Sequence, residues 1–144
     1  MIADFFAAVA ADALRYAHRS DDPDEGDGIT QVLAPRQYNG IGSLDIGILW
    51  AILENTAWNA KRHMPEGIRI DDDGEAWLDR FPADLTRLLA DADADTLARA
   101  ASAWSHTEEL DCAADELRPV LDDLQALARE ALAGAKSVYL WGCL

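Results

Sequence analysis

Few side chains in this chain have both the type and the spacing that catalysis or metal binding needs. His106 and Glu109 stand three residues apart, a spacing that lets one helix face supply two ligands to a metal ion. The other two histidines, His18 and His63, are distant in sequence. The same segment is also explained as a helix end with a solvent-exposed histidine. A metal-dependent enzyme using His106 and Glu109 is therefore an alternative hypothesis, and we expect neither a cofactor nor a metal.

The sequence gives less support to nucleophilic catalysis and to nucleotide binding. Cys112 is surrounded in sequence by acidic residues, and negative charge disfavours the reactive thiolate. The segment Gly40-Ile41-Gly42 lacks the third glycine of a nucleotide-binding loop, and no Walker lysine follows it. The sequence therefore predicts a protein without catalytic residues.

Acidity is the strongest feature of the composition. The 144 residues include 27 acidic and 12 basic side chains, which gives a net charge of −15. Such a protein is repelled by nucleic-acid phosphates and by anionic lipids, and it is attracted to basic surfaces. We expect a basic protein partner, such as a toxin or a nucleic-acid-binding enzyme, with no direct binding to nucleic acid or membrane.

The acidic residues are dense in one tract. Ten acids and only two arginines lie between Asp91 and Asp123, and such crowding costs self-repulsion. The leading function is an acidic protein-binding module, an inhibitor or immunity-type protein that covers a basic active site or nucleic-acid groove. The predicted contact residues are Glu108, Glu109, Asp111, Asp115 and Glu116. Two alternatives stay open: the charge only confers solubility, or the chain is an oligomeric structural subunit that associates through the Trp and Tyr of residues 138–144.

Helical periodicity dominates the first half of the chain. Apolar spacing predicts an amphipathic helix over residues 2–19, followed by a flexible acidic loop at 20–28. Ser43 is the predicted N-cap of a helix that is apolar on nearly all sides, and we expect this helix to be central and buried.

The second half continues the helical pattern with a small β component. Residues 68–70 alternate as a short strand that ends in a turn at 71–74. One helix follows with Pro82 at its first position, and another with Asp95 as its N-cap. A further helical face extends from residue 111 to a cap at Gly134, with Pro119 marking either a kink or a new start. Residues 137–143 are β-prone and apolar, and we expect them to be buried and paired with 68–70.

These elements predict one domain over residues 1–144, a mainly α helical bundle with at most a small β element (68–70 and 137–143). The length suits a single core. The first residues carry no basic segment like that of a signal peptide, and no apolar run is long enough for a membrane span. We therefore expect a soluble cytoplasmic protein.

The second half of the chain also resembles an uncharacterised group of small bacterial proteins. The resemblance rests on residues 104–110 (WSHTEEL), on the Leu- and Ala-rich helix that follows, and on residues 137–144 (SVYLWGCL). In that group a tryptophan and a Thr-Glu-Glu stretch precede a helix and a final segment that contains Leu-Trp. The resemblance implies kinship with bacterial proteins and no particular activity.

Overall fold

A five-stranded antiparallel sheet lies at the centre of the fold. The computed structural model describes residues 1–19, 28–108, 110 and 112–144, and within these residues it has five strands and six helices. In chain order they are β1 (Ile2–Ala8), α1 (Ala10–Ala17), α2 (Ile29–Leu33), β2 (Arg36–Asn39), α3 (Ser43–Glu54), β3 (Glu66–Ile70), β4 (Ala76–Arg80), α4 (Ala83–Asp91), α5 (Ala94–Ser105), α6 (Ala114–Ala133) and β5 (Ser137–Cys143).

The strand order across the sheet is β2-β1-β5-β4-β3, and every neighbouring pair is antiparallel. The larger core packs α3, α4, α5 and α6 against one face of the sheet. A smaller core packs α1 and α2 against the other face. The prediction of a mainly α bundle is therefore wrong, because the chain forms a mixed α/β fold with helices on both faces of a sheet.

The sheet begins where a helix was predicted. The first seven residues of the predicted helix 2–19 form β1, and only residues 10–17 are helical. Six of the seven β1 residues are buried, because helices cover both faces of the strand. A strand buried on both faces shows no alternation of polar and apolar residues. Its apolar positions therefore matched a helical spacing by coincidence.

One polar side chain of β1 is buried with several partners. Asp4 is 3% exposed, and its Oδ1 accepts a hydrogen bond of 2.9 Å from Gln37 Nε2. The hydroxyl of Tyr16 donates to Oδ2 of the same carboxylate. Arg19 lies 3.5 Å from Asp4 and stacks on the Tyr16 and Trp141 rings, 3.8 and 4.2 Å from their centroids. This cluster fastens α1 to the sheet.

The predicted strands are found, but with different partners. β5 contains the predicted 137–143 and is buried as expected, yet it pairs with β1 and β4 rather than with 68–70. The 68–70 segment belongs to β3, which pairs with β4. The 71–74 turn is confirmed, with Gly74 at φ 72° and its N–H bonded to the Asp71 carbonyl at 2.9 Å. β2 and β4 were not predicted.

The helices largely follow the sequence pattern. α3 is the central buried helix; it begins at Ser43, and Gly42 is the N-cap in place of the predicted Ser43. Asp93 caps α5 in place of the predicted Asp95, since Asp93 Oδ1 accepts the Thr96 N–H at 2.7 Å. α6 continues through Pro119 as one helix and is capped by Gly134. Of the predicted loop at 20–28, residues 20–27 lie outside the described residues.

No helix within the described residues has the length and apolar composition that crossing a membrane requires.

Candidate functional site

Three long side chains of α6 bind the main chain where α4 ends and α5 begins. Helix ends leave carbonyl groups without intrahelical partners, and α6 supplies donors to four carbonyls in this connection. The donors and carbonyls are Gln125 with Leu89 and Ala92 at 2.9 and 2.7 Å, Arg129 with Ala90 at 3.0 Å, and Arg118 with Ala94 at 3.4 Å. The connection is thereby fixed on the surface of α6.

This contact brings separated parts of the acidic tract together. Asp91, Asp93 and Asp95 lie along the fixed connection. Asp115 and Asp122 lie three residues before and four residues after Arg118 on the same face of α6. We use the name acidic surface for these exposed residues and their exposed neighbours at the start of α6: Asp91, Asp93, Asp95, Glu108, Asp115, Glu116 and Asp122.

Part of this charge stabilises helix ends. Asp93 caps α5, and its hydrogen bonds from Thr96 hold the pKa of its carboxyl below the usual range. Asp95 lies in the first turn of α5, while Asp115 and Glu116 lie in the first turn of α6. Carboxylates are favourable at helix amino ends because the peptide dipoles leave partial positive charge there. The acidic residues at these positions therefore stabilise helix ends and also add negative charge to the surface.

Little of the acidic surface is neutralised by ion pairs. Among the described residues of the tract, only Asp122 and Asp123 have one. Asp122 pairs with Arg118 at 3.1 Å. Asp123 lies away from the acidic surface, where it accepts a hydrogen bond from the Tyr38 hydroxyl and lies 3.7 Å from Arg36. Burial and the Asp123 carboxylate raise the pKa of Tyr38, and this contact ties β2 to α6.

The predicted contact residues are exposed where the structure describes them. Glu108, Asp115 and Glu116 are exposed at or just before the start of α6. Glu109 and Asp111 lie outside the described residues. The predicted contact residues did not include Asp91, although it begins the acidic tract, and its position depends on how α6 holds the connection.

The proposed metal ligand His106 lies at an exposed helix end. It is the C-cap of α5, and its Nδ1 lies 2.6 Å from the Ser102 carbonyl oxygen. Nδ1 therefore carries the hydrogen and donates it to that carbonyl. No group of three or more His, Cys, Asp or Glu side chains that could hold a metal is found in the part of the chain that the structure describes.

A groove opens beside the acidic surface at the end of α3. Three adjoining cavities of about 450, 580 and 360 Å³ all include Leu53 in their lining. Leu88 of α4 lines the first two of these cavities. Asp91 and Thr96 line the first cavity, which makes the groove continuous with the acidic surface.

One wall of the groove is a loop that is anchored to α3 by a buried histidine. His63 is 2% exposed, and its Nδ1 accepts the Asn59 N–H at 2.9 Å. The ring proton is therefore on Nε2, which donates to Glu54 Oε1 at 2.6 Å. Arg62 also donates to both oxygens of Glu54, and the hydrogen bonds from Arg62 and then His63 lower the pKa of the Glu54 carboxyl. Both nitrogens of His63 are thus used in holding the loop.

Gly47 allows this loop to lie directly on α3. A Cβ at position 47 would lie 2.0 Å from the His63 carbonyl oxygen and 3.5 Å from Trp58 Nε1. Only a residue without a side chain permits this approach.

No protein-family model, curated protein or solved structure matches the chain. The resemblance to the group of small bacterial proteins therefore stays a prediction.

Proposed function

We propose that the protein binds a basic protein partner through the acidic surface, as an inhibitor or immunity-type protein that covers a basic active site or nucleic-acid groove. The supporting observation concerns the arginines that reach this surface. Arg129 and Arg118 donate to carbonyl oxygens of the α4–α5 connection at 3.0 and 3.4 Å. Only Arg118 also pairs with a carboxylate of the surface. These two arginines therefore bind the backbone, and among the described residues most carboxylates of the surface have no ion pair.

The acidic surface is also held on rigid elements. Its residues other than Glu108 lie on helices or on a connection whose carbonyls are bound by α6. A fixed array of like charges accelerates encounter with a basic partner, and added salt weakens the attraction over a Debye length of about 10 Å at 0.1 M. The same charge opposes direct binding to nucleic acids and to anionic membranes.

The test compares two variants that remove the same charge at different places. Asp115→Asn with Glu116→Gln alters the acidic surface, and Asp72→Asn with Glu75→Gln alters the exposed turn between β3 and β4. The tagged wild-type protein is used to capture basic proteins from its host at low salt, and the captured protein is purified. Its association rate with each form is then measured over a series of salt concentrations.

We expect the captured protein to associate more slowly with the Asp115/Glu116 variant and at the wild-type rate with the Asp72/Glu75 variant. Association should also slow as salt is added. Binding that is independent of salt, or equal effects of the two variants, would contradict the proposal.

The enzyme and oligomeric hypotheses have no observation in their favour among the described residues. The enzyme hypothesis rests on His106 and Glu109, of which only His106 is described. The oligomeric hypothesis placed its contact on residues 138–144, but Tyr139 is buried and Arg19 covers the Trp141 ring. A subunit contact would need other residues. Location in the cytoplasm stays a prediction.

A further inference from the structure

The groove beside the acidic surface has carboxylates at the carboxyl ends of two helices. Glu54 is the last residue of α3 and Asp91 is the last residue of α4, and neither helix has a basic residue in its last turn. Helix carboxyl ends carry partial negative charge, so a carboxylate there is electrostatically unfavourable. Two helix ends and two carboxylates contribute negative potential to this groove, which Arg129 at the Ala90 carbonyl and Arg62 at Glu54 offset only in part.

The basic side chains in the groove bind carboxylates other than that of Asp91. The cavity of about 450 Å³ is lined by three carboxylates, those of Glu54, Asp84 and Asp91, and by one guanidinium, that of Arg87. Arg87 lies 3.8 Å from Asp84, and Glu54 is bound by Arg62 and His63. No ion pair to Asp91 is found among the described residues.

The floor between these charges is apolar. Leu53 and Leu88 are half-buried and line both the 450 and the 580 Å³ cavities. Asp84, Leu88 and Asp91 follow one another at i, i+4 and i+7 on α4, so that a carboxylate lies on either side of the leucine. The groove thus offers an aliphatic surface that ends in negative charge.

We propose that this groove receives an arginine side chain of the basic partner, with the aliphatic stem on Leu53 and Leu88 and the guanidinium against Asp91. Arginine suits the groove because its stem packs on apolar surface while its weakly hydrated, planar head pairs with a carboxylate through two hydrogen bonds. The inference rests on the proposed function, since the groove adjoins the acidic surface at Asp91.

The test uses short peptides in place of the unknown partner. Acetyl-Ala-Arg-Ala-amide is titrated into the ¹⁵N-labelled protein, and the backbone amide shifts are followed by NMR. The matched peptides carry citrulline, which keeps the shape and removes the charge, or lysine. We expect saturable shifts at Leu53, Leu88 and Thr96 with the arginine peptide, weaker binding with lysine and none with citrulline.

Two variants locate the binding. Asp91→Asn should weaken binding of the arginine peptide about threefold, the effect expected of a partly exposed ion pair. Asp72→Asn removes the same charge from the exposed turn between β3 and β4, outside both the groove and the acidic surface, and should leave the binding constant unchanged. Equal losses in the two variants, shifts spread over the acidic surface, or equal binding of the citrulline or lysine peptide would overturn the inference.

The arginine site in the groove and the proposed function of the acidic surface can be rejected independently. A captured partner whose association depends on Asp115 and Glu116 but not on Asp91 would reject the groove and keep the proposed function. Arginine binding in the groove without a salt-dependent partner would reject the proposed function itself.

Discussion

Replacing Gly47 by alanine tests whether the loop over α3 needs the absence of a side chain. The new Cβ would lie 2.0 Å from the His63 carbonyl oxygen, whereas ordinary contacts begin at 3.4 Å. The loop backbone must therefore retreat by about 1.4 Å. That movement pulls His63 away from Glu54, to which it is bonded at 2.6 Å.

The expected change in the free energy of unfolding is the sum of opposing effects. Alanine is favoured over glycine within a helix by about 0.5–1 kcal/mol. Overpacking costs about 1–3 kcal/mol, and weakening a hydrogen bond to a charged group costs about 1.5–3 kcal/mol. Gly47→Ala should therefore lower the free energy of unfolding by about 1.5–5.5 kcal/mol.

The measurement is urea denaturation followed by tryptophan fluorescence. Gly67→Ala is the matched control, because a Cβ at that position would meet Asp79 Oδ1 at an ordinary 3.9 Å. The reasoning would be refuted if Gly47→Ala were as stable as the wild-type protein or lost no more stability than the control.

Two further predictions concern single carboxylates. Burial raises the pKa of Asp79 despite the hydrogen bond from Ser43. The folded state therefore binds the proton more tightly, and stability falls as pH rises from the unfolded pKa through the folded pKa. Asp79→Asn should be more stable than the wild-type protein at neutral pH, and the difference should vanish at acid pH; equal urea midpoints at every pH would contradict this. Asp91→Asn should raise the free energy of unfolding by about 0.3–1 kcal/mol at low salt, because it removes a negative charge from a helix carboxyl end, and unchanged or lower stability in chemical denaturation would count against that electrostatic explanation.

The sequence pattern predicts the elements whose signal is local. The helix after Ser43 is apolar on nearly all sides, and the β-branched and aromatic residues of 137–143 favour a strand. The turn at 71–74 follows from its Asp and Gly residues. Neighbouring residues determine each of these three elements, and the structure confirms all three.

The sheet was missed because its signal is not local. β1 is buried on both faces and so lacks alternation, while β2 is a short polar strand at the sheet edge. β4 contains Asp79, whose burial depends on the Ser43 hydroxyl from another element. Pairing with strands that are distant in the sequence decided these segments, and periodicity does not report such pairing.

The candidate site also has features that local sequence predicts and features that depend on packing between distant residues. Glu108, Asp115 and Glu116 were predicted as exposed acids from composition, and they are exposed. The importance of Asp91 depends on the packing of α3 against α4, which the sequence does not display. A signal was nevertheless present, since Arg118, Gln125 and Arg129 recur at i, i+7 and i+11 on a helix and mark a face that binds backbone.

The position of β5 has a consequence for synthesis on the ribosome. β5 comes last of the five strands but lies between β1 and β4, and it places Cys143 opposite Ile2. Until residues 137–143 leave the exit tunnel, the strands can form only two separate pairs, β1 with β2 and β3 with β4. Each pair then carries an open apolar edge, the kind of surface on which nascent chains associate. The sheet is therefore complete only after β5 has left the tunnel, and until then β1 and β4 each present an unpaired edge.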